Sequence, residues 1–174
     1  ALRDTLRRLR RAIHERALAP RPLAQKIEDT HTGLDMLAAA LNLPGPPRRI
    51  EAYDVSNIGG TLAVGSMVCA VDGMPRRSDY RLFRIRTTTR ADDTAMMAEM
   101  IRRRFARLQR EGGERPDLVL VDGGAGQLAA ARAELDRLGL NDLPAAGLAK
   151  RFEELHLPGR PANDPLKLPA DSPA

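Results

Sequence analysis

Four consecutive apolar residues, Leu118-Val119-Leu120-Val121, constrain the fold of this chain more than any other feature. The segment has the length of a strand and shows no alternation of polar and apolar residues, which is typical of a strand buried on both faces of a parallel sheet. Apolar residues recur at helical spacing on both sides of it. They are Met97, Ile101, Phe105 and Leu108 before the segment, and Leu128, Ala131, Leu135 and Leu138 after it. A parallel strand between two helices predicts an α/β fold.

Three extended segments precede the first of these helices. They begin at Arg49, Leu62 and Asp79, and the last runs to Thr87. Asp72-Gly73 supplies a tight hairpin between two of them, and Leu143 to Leu148 can form one more strand after the helices. The predicted order is β β β α β α β. This order indicates an RNase H-like α/β fold with a mixed five-stranded sheet and flanking helices, in which three antiparallel strands precede alternating helix and parallel strand.

A short helical segment precedes the sheet. Apolar residues at helical spacing predict an amphipathic helix over residues 2–18, and Asp29 and Thr30 are placed to cap a second helix. The cluster Pro44-Gly45-Pro46-Pro47 then ends the helical pattern. A chain of 174 residues accommodates one compact domain. We therefore predict a helical connecting segment over residues 1–47 and the α/β domain over residues 48–174.

Basic residues are concentrated in two blocks of the sequence. Seven arginines stand against two acids in residues 1–21, and eleven stand against four acids in residues 76–110, although the whole chain carries a net charge of only +5. Clustered arginines favour a polyanion such as nucleic acid as a partner. A solvated, arginine-rich surface would account for the same charge, so this alternative stays open.

The composition excludes several classes of protein. A single cysteine, Cys69, excludes a disulfide framework and a cysteine-rich zinc site. The longest apolar runs have the length of a strand, far short of the roughly 20 residues of a membrane span. Arginines occur throughout the first residues of the chain, which lack the apolar core of a signal peptide. We therefore expect a cytoplasmic protein with no membrane partner.

Two aspartates occupy positions where α/β sheets bind ligands. Asp54 lies on the first predicted strand, and Asp122 directly follows the apolar strand. If these strands are neighbours, the carboxylates converge, and such a pair suits Mg²⁺ or Mn²⁺ when the ion also takes water and a phosphate oxygen. That ion can align water for attack on a phosphodiester. The alternative is turn chemistry, in which Asp122 opens an Asp-Gly-Gly turn and Asp54 caps a turn with Ser56.

Two further segments are weaker candidates. Asp92 and Asp93 precede a predicted helix, where capping is a more common role than metal ligation. Gly123-Gly124-Ala125-Gly126-Gln127 opens the next helix, and its free amides could receive a phosphate. It lacks the lysine and hydroxyl of a nucleotide P-loop, so an enzyme built on this phosphate site is the least favoured interpretation. Close helix packing explains the glycines equally well.

Five strings, in order from about Arg48 to the last residue, resemble the UvrC family, the nuclease subunit of bacterial nucleotide excision repair. They are Tyr53-Asp54-Val55-Ser56-Asn57, Gly65-Ser66-Met67-Val68, Tyr80-Arg81-Leu82-Phe83-Arg84-Ile85, Val121-Asp122-Gly123-Gly124-Ala125-Gly126-Gln127 and Gly147-Leu148-Ala149-Lys150-Arg151-Phe152-Glu153-Glu154. Several independent strings in register are far more specific than one glycine-rich loop.

The resemblance implies an RNase H-like endonuclease domain of DNA repair and the SOS response. It implies incision of damaged double-stranded DNA on the 5′ side of a lesion, with Mg²⁺ or Mn²⁺, after UvrB has located the lesion and UvrA has acted upstream. Asp54 and Asp122 match the family's catalytic aspartates and would bind the metal, and Asp93 matches a further acid associated with incision. Lys150 and Arg151 match the family motif and are interpreted as DNA contacts.

Two more arginines, Arg102 and Arg103, lie in the second basic block and are predicted to contact DNA phosphates. The family also has a catalytic histidine on a helix expected after Ala174, so the domain predicted over residues 48–174 lacks that C-terminal helix. A catalytically incomplete RNase H-like module that binds DNA or protein is therefore the alternative to an active nuclease.

Overall fold

A computed structural model of the chain describes residues 23–58, 62–86, 92–149 and 154–167. The helix predicted over residues 2–18 and the predicted DNA contacts Lys150 and Arg151 lie outside these ranges. Within them, every helix is too short or too polar to cross a membrane.

The first described helix, α1 (Leu23–Leu41), begins before the predicted cap, so the prediction that Asp29 and Thr30 cap it is wrong. Residues 23–28 include several with strong helix propensity, which extends the helix toward its N-terminus. The helix ends where the sequence predicts. Asn42 follows it with a left-handed φ of 52°, a conformation that asparagine tolerates at a helix C-terminus.

Eight strands and two further α-helices follow in the described ranges. The strands are β1 (Arg49–Ile58), β2 (Leu62–Val71), β3 (Met74–Pro75), β4 (Arg81–Arg84), β5 (Leu118–Val121), β6 (Ala145–Ala149), β7 (Glu154–His156) and β8 (Leu166–Lys167). The helices are α2 (Asp93–Glu111) and α3 (Ala125–Arg137), and a 3-10 turn covers Arg77–Asp79. The strands form one sheet in the order β3-β2-β1-β5-β6-β7-β8, and β4 pairs with β2 along the edge that β3 also uses.

The predicted element order is confirmed, with β1, β2, β4, β5 and β6 as the five predicted strands. β2 is antiparallel to β1 and β4, whereas β5 is parallel to β1 and β6. Three short strands, β3, β7 and β8, extend the sheet to eight in the described ranges. The third predicted strand starts later than expected because Asp79 lies in the 3-10 turn, where its carboxylate accepts a hydrogen bond from Arg49 at 2.7 Å. Its predicted end at Thr87 lies outside the described residues.

Helices cover both faces of the sheet. α2 and α3 pack on the first face, where the rings of Tyr53 and Phe105 lie 6.5 Å apart within the larger core. α1 covers part of the second face, where Leu34 packs with Ile50 and Leu118. Residues of β5 alternate between the two cores, as its unbroken apolar run predicts.

A buried ionic network on the first face ties β1 to α2. The Glu51 carboxylate is fully buried and accepts hydrogen bonds from the Tyr53 hydroxyl at 2.6 Å and from the Arg104 guanidinium at 2.6 and 3.1 Å. Arg49 donates to the same carboxylate at 3.1 Å. Burial, followed by the charge of Glu51, raises the pKa of Tyr53, so its hydroxyl remains a donor. The negative charge of Glu51 is thus matched by two cations.

Truncation of Glu51 removes the acceptor that these two guanidinium groups share. We expect Glu51→Ala to lower the free energy of unfolding by about 3–5 kcal/mol, because breaking a buried pair leaves uncompensated charge in the interior. Glu111→Ala is the matched control, since its ion pair with Arg107 is exposed and its loss should matter much less. Urea unfolding measures both variants, and equal losses would contradict a stabilising role for the network.

Cys69 is fully buried in β2, and burial raises the pKa of its thiol from 9.0 to about 11. The thiol of the unfolded chain therefore ionises at lower pH than the folded one. Below about pH 9 both states are protonated, and stability is lost as the pH rises toward about 11. We expect the free energy of unfolding to fall across this window and to fall less steeply in Cys69→Ala. Urea unfolding at several pH values tests this, and the same slope in both proteins would exclude the thiol as the cause.

Candidate active site

The two aspartates predicted as metal ligands occupy neighbouring positions where two adjacent strands stop pairing. β1 and β5 are parallel neighbours, and their paired residues end with Tyr53 opposite Val121. Asp54 and Asp122 are the next residues on the two strands, and the Asp122 amide donates to the Tyr53 carbonyl at 2.8 Å. In this register the two aspartates share one face of the sheet, the face that α1 partly covers.

Both carboxylates are buried. Asp54 is 5% exposed and Asp122 is 9% exposed. A buried carboxylate is costly unless cations or hydrogen-bond donors meet it, and both residues have polar or electrostatic partners in the folded chain. The site is therefore an oxygen-donor pair with little access to bulk water, at the end of the sheet where α/β proteins bind ligands.

This donor pair fits a hard divalent cation. In the described part of the chain, no group of three or more His, Cys, Asp or Glu side chains is placed to hold a metal ion. Mg²⁺ is often bound by one or two carboxylates and completes its coordination with water and substrate phosphates. Asp54 and Asp122 meet that requirement without a third protein ligand.

The N-terminus of α2 lies at the same end of the sheet. Asp92 caps the helix: its Oδ1 accepts hydrogen bonds from the Thr94 hydroxyl at 2.6 Å and from the Ala95 amide at 3.0 Å, and these bonds lower its pKa. Asp93 is the first helical residue and is exposed. A Cβ atom on Gly126, near the start of α3, would contact the Thr94 methyl group at 3.6 Å. The capping interpretation therefore applies to Asp92. Asp93 lies at the end of the sheet that also carries Asp122.

The glycine-rich segment after Asp122 is closely packed. The Gln127 side chain occupies the space where a Cβ atom of Gly123 would lie. Gly124 is the N-cap of α3 in an extended conformation, and no side chain caps the helix. Close packing thus accounts for Gly123, while the first turn of α3 keeps backbone amides without a side-chain cap.

The predicted DNA contacts on α2 make contacts within the protein. Arg103 donates to Glu99 at 2.7 Å and to the Arg84 carbonyl at 2.8 Å, and its guanidinium lies 5.7 Å from the centre of the Phe83 ring. Arg102 lies 3.9 Å from Glu134 and is half-exposed. α2 packs on the face opposite the two aspartates. The structure therefore does not bring Arg102 and Arg103 together with the carboxylate pair, and their role in DNA binding stays a prediction.

The row of residues that contains Asp54 continues to the edge of the sheet. Asp54 lies opposite Ser66 on β2, and Ser66 lies opposite Leu82 on β4. Ser66 is buried, whereas Leu82 is exposed. Sequence reasoning missed both residues as parts of this face. Alternation of side chains along β4 indicates that Leu82 and Phe83 lie on opposite faces of the sheet. Which of the two shares the face of Asp54 depends on the pairing of β4 with β2.

Gly147 of β6 packs against the turn that follows Asp122. A Cβ atom at Gly147 would lie 2.9 Å from the Gly123 carbonyl oxygen, which is too close. We expect Gly147→Ala to lower the free energy of unfolding by about 1–3 kcal/mol, because the turn must shift. Gly45→Ala is the matched control: a Cβ there has no neighbour within 4 Å, and its φ lies outside the left-handed range. Thermal unfolding compares the two variants, and equal midpoints would show that the close approach is unimportant.

A family model and individual relatives both match this chain and point to the same family. Residues 38–174 match the family model of the UvrC RNase H endonuclease domain. UvrABC system protein C of Gloeobacter violaceus is 52% identical over 147 residues, which cover 82% of this chain and 23% of that protein. The protein of the same name from Dehalococcoides mccartyi is 51% identical over 143 residues, which cover 79% of this chain. The chain spans only 23% of the length of these curated relatives.

Solved structures with detectable similarity include endonuclease V proteins. One is Ciona intestinalis endonuclease V with a 23mer DNA containing an inosine followed by a ribo-adenosine, at a TM-score of 0.48 and 15% identity, covering 76% of this chain and 61% of that one. Another is human ENDOV, at a TM-score of 0.43 and 18% identity, covering 64% of this chain and 50% of that one. From the family model and the two relatives, the chain belongs to the UvrC family and contains its RNase H endonuclease domain.

Proposed function

We propose that this chain hydrolyses a DNA phosphodiester on the 5′ side of a lesion and that the reaction depends on Mg²⁺ or Mn²⁺. Membership of the UvrC family supports a nuclease of excision repair. The observation that carries the finer assignment is the pair of buried carboxylates, Asp54 and Asp122, side by side where β1 and β5 stop pairing.

In this proposal Asp54 and Asp122 bind the divalent ion, which when bound supplies Lewis acidity at a phosphate oxygen. The pairing of β1 with β5 holds the two side chains at a separation set by the sheet. Neither ligand then needs to be ordered when the ion or the DNA binds. The buried surroundings keep bulk water away and strengthen the electrostatic interactions of both carboxylates.

The first turn of α3 supports phosphate binding at the end of the sheet that carries Asp122, because no side chain caps its amides. In α2, by contrast, Asp92 already accepts from the amides of Thr94 and Ala95. Helix N-termini carry partial positive charge and unpaired amides, and both favour a phosphate group. Asp93 lies in the first turn of α2, and we assign it the role of the further acid needed for incision. Lys150 and Arg151 follow β6 in the sequence and are assigned to contacts with the DNA backbone.

The substrate in this proposal is damaged double-stranded DNA, and the partner is UvrB, with UvrA acting upstream. The relatives named UvrABC system protein C support this assignment, and the exposed arginines of residues 76–110 complement a polyanion. A bacterial DNA substrate also favours the cytoplasm as the place of action and the SOS response as its setting.

A second candidate is an RNase H-like module that binds DNA or protein without cutting. It is favoured by the excess of arginines over acids in residues 76–110, which would bind a polyanion whether or not the carboxylate pair holds an ion. The two candidates differ in whether Asp54 and Asp122 bind an ion. Titration of the chain with Mn²⁺, followed by electron paramagnetic resonance, separates them, since the module predicts the same weak binding before and after Asp54→Asn.

Replacing either aspartate by asparagine removes a negative ligand and keeps the shape of the side chain. We expect Asp54→Asn and Asp122→Asn to reduce incision by at least about a hundredfold, because loss of groups that merely orient metal ligands already costs 10–100-fold. The assay measures cutting of a lesion-containing duplex by a chain extended to the length of its relatives, assembled with UvrA and UvrB in Mg²⁺ or Mn²⁺. Chelation with EDTA should abolish incision by the unmodified protein.

Asp142→Asn is the matched control, since this aspartate is exposed and pairs with Arg115 away from the carboxylate pair. It should leave incision unchanged. Retention of 5′ incision by Asp54→Asn or Asp122→Asn, in protein that unfolds at the normal temperature, would contradict the assigned roles.

A further inference from the structure

Strand β4 exposes a leucine on the face of the sheet that carries the two carboxylates. Leu82 is 78% exposed and lies opposite Ser66 on β2, which lies opposite Asp54 on β1. Residues in register on neighbouring strands share a face, so these three residues form one row across the sheet. In the described ranges β4 pairs only with β2, so this row ends at the edge of the sheet.

Arginines surround this leucine. The edge segment formed by residues 74–86 exposes five of them: Arg76, Arg77, Arg81, Arg84 and Arg86. Its one acid, Asp79, is bound by Arg49 at 2.7 Å. Arg84 lies two residues after Leu82 and therefore on the same face, and within the described ranges no carboxylate forms an ion pair with it. The edge combines two exposed apolar side chains, Met74 and Leu82, with uncompensated positive charge, and of these two only Leu82 lies on the face of Asp54.

The spacing of strands places this edge at a defined distance from the carboxylates. Neighbouring strands lie about 4.8 Å apart, and β4 is two strands from β1, so the Cα atoms of Leu82 and Asp54 are separated by about 10 Å. A DNA strand advances about 3.4 Å per nucleotide along the helix axis. A DNA strand whose axis runs along this row would span about three nucleotides over that distance.

The need to keep an edge strand from pairing with another chain explains only part of this arrangement. Arginines on an edge strand discourage pairing with another chain, and single exposed apolar residues are common on protein surfaces. Neither explains why the exposed leucine and Arg84 share the face of Asp54. A DNA strand satisfies both features, since phosphates pair with arginine and apolar side chains contact or wedge between bases in the minor groove. An acidic protein partner would need the charge but not the alignment with Asp54.

We propose that Leu82 and Arg84 form a second DNA contact about three nucleotides from the phosphate that is cut. Arg84 binds a backbone phosphate, and Leu82 packs against the minor-groove edge of the neighbouring bases. Together they set the position of the strand over the carboxylate pair. This inference rests on the proposed nuclease function and adds to it the residues that determine where the DNA is cut.

The test compares matched variants on opposite faces of the same sheet edge. Leu82→Ala is paired with Met74→Ala, whose side chain is also exposed but lies on the other face, since Met74 is opposite Val71 and Val71 is opposite Arg49. Arg84→Gln is paired with Arg81→Gln, which removes the same charge from the other face of β4. All four residues are exposed, and unchanged thermal unfolding verifies that each variant is folded.

We expect Leu82→Ala to weaken binding of duplex DNA about tenfold, or about 1.4 kcal/mol, and Met74→Ala to leave it unchanged. Arg84→Gln should reduce the slope of log affinity against log salt by about 1, whereas Arg81→Gln should not. Fluorescence anisotropy measures both effects on the 174-residue chain. Hydroxyl-radical footprinting of the incision complex should show that Leu82→Ala loses protection about three nucleotides from the cut.

Equal affinities and footprints for Leu82→Ala and Met74→Ala would overturn the proposed contact. An equal change of salt slope in Arg84→Gln and Arg81→Gln would overturn the specific phosphate contact of Arg84, because general attraction by positive charge would explain both. The nuclease assignment is tested separately, because Asp54→Asn should reduce incision by at least about a hundredfold while it leaves the Leu82 footprint intact. If Asp54→Asn still cuts, the nuclease assignment of that residue fails whatever the footprint shows.

Discussion

Strands β1 and β5 pair in parallel, although three strands and a helix separate them in the sequence. A parallel pair cannot be closed by a tight turn, so the chain must cross over through α2 before β5 can form. The remaining strands extend the sheet outward from this pair, with β2 beside β1 and β6 beside β5. The pairing also aligns Tyr53 with Val121, and so it places Asp54 next to Asp122.

Alternation along β1 separates the residues that stabilise the fold from the residues of the candidate site. Glu51 and Tyr53 face α2 and share the buried ionic network, while Asp54 faces the opposite side. Because successive side chains point to opposite faces, a slip of one residue would bring Asp54 into the apolar core beneath α2. The network joins Arg104 of α2 to β1 and opposes such a slip.

Local patterns predicted much of the fold and part of the site. The apolar run of β5 predicted a buried parallel strand, and Asp122 at its end was a candidate ligand for that reason. Propensity failed where a longer-range partner decided the outcome: Asp79 was expected in a strand but meets Arg49 from a 3-10 turn. The start of α1 was also misplaced, because the helix-forming residues before Asp29 outweigh its preference for a cap.

The sequence by itself determined the order of the elements, the apolar strand and the acids near strand ends, because these depend on residues close together in the chain. Only the tertiary structure decided that Asp54 adjoins Asp122, that Arg103 binds Glu99, and that Leu82 faces outward on the side of the carboxylates. Each of these depends on backbone pairing or packing between distant segments. Strand register and helix docking minimise the free energy of the whole sheet, so no local pattern contains them.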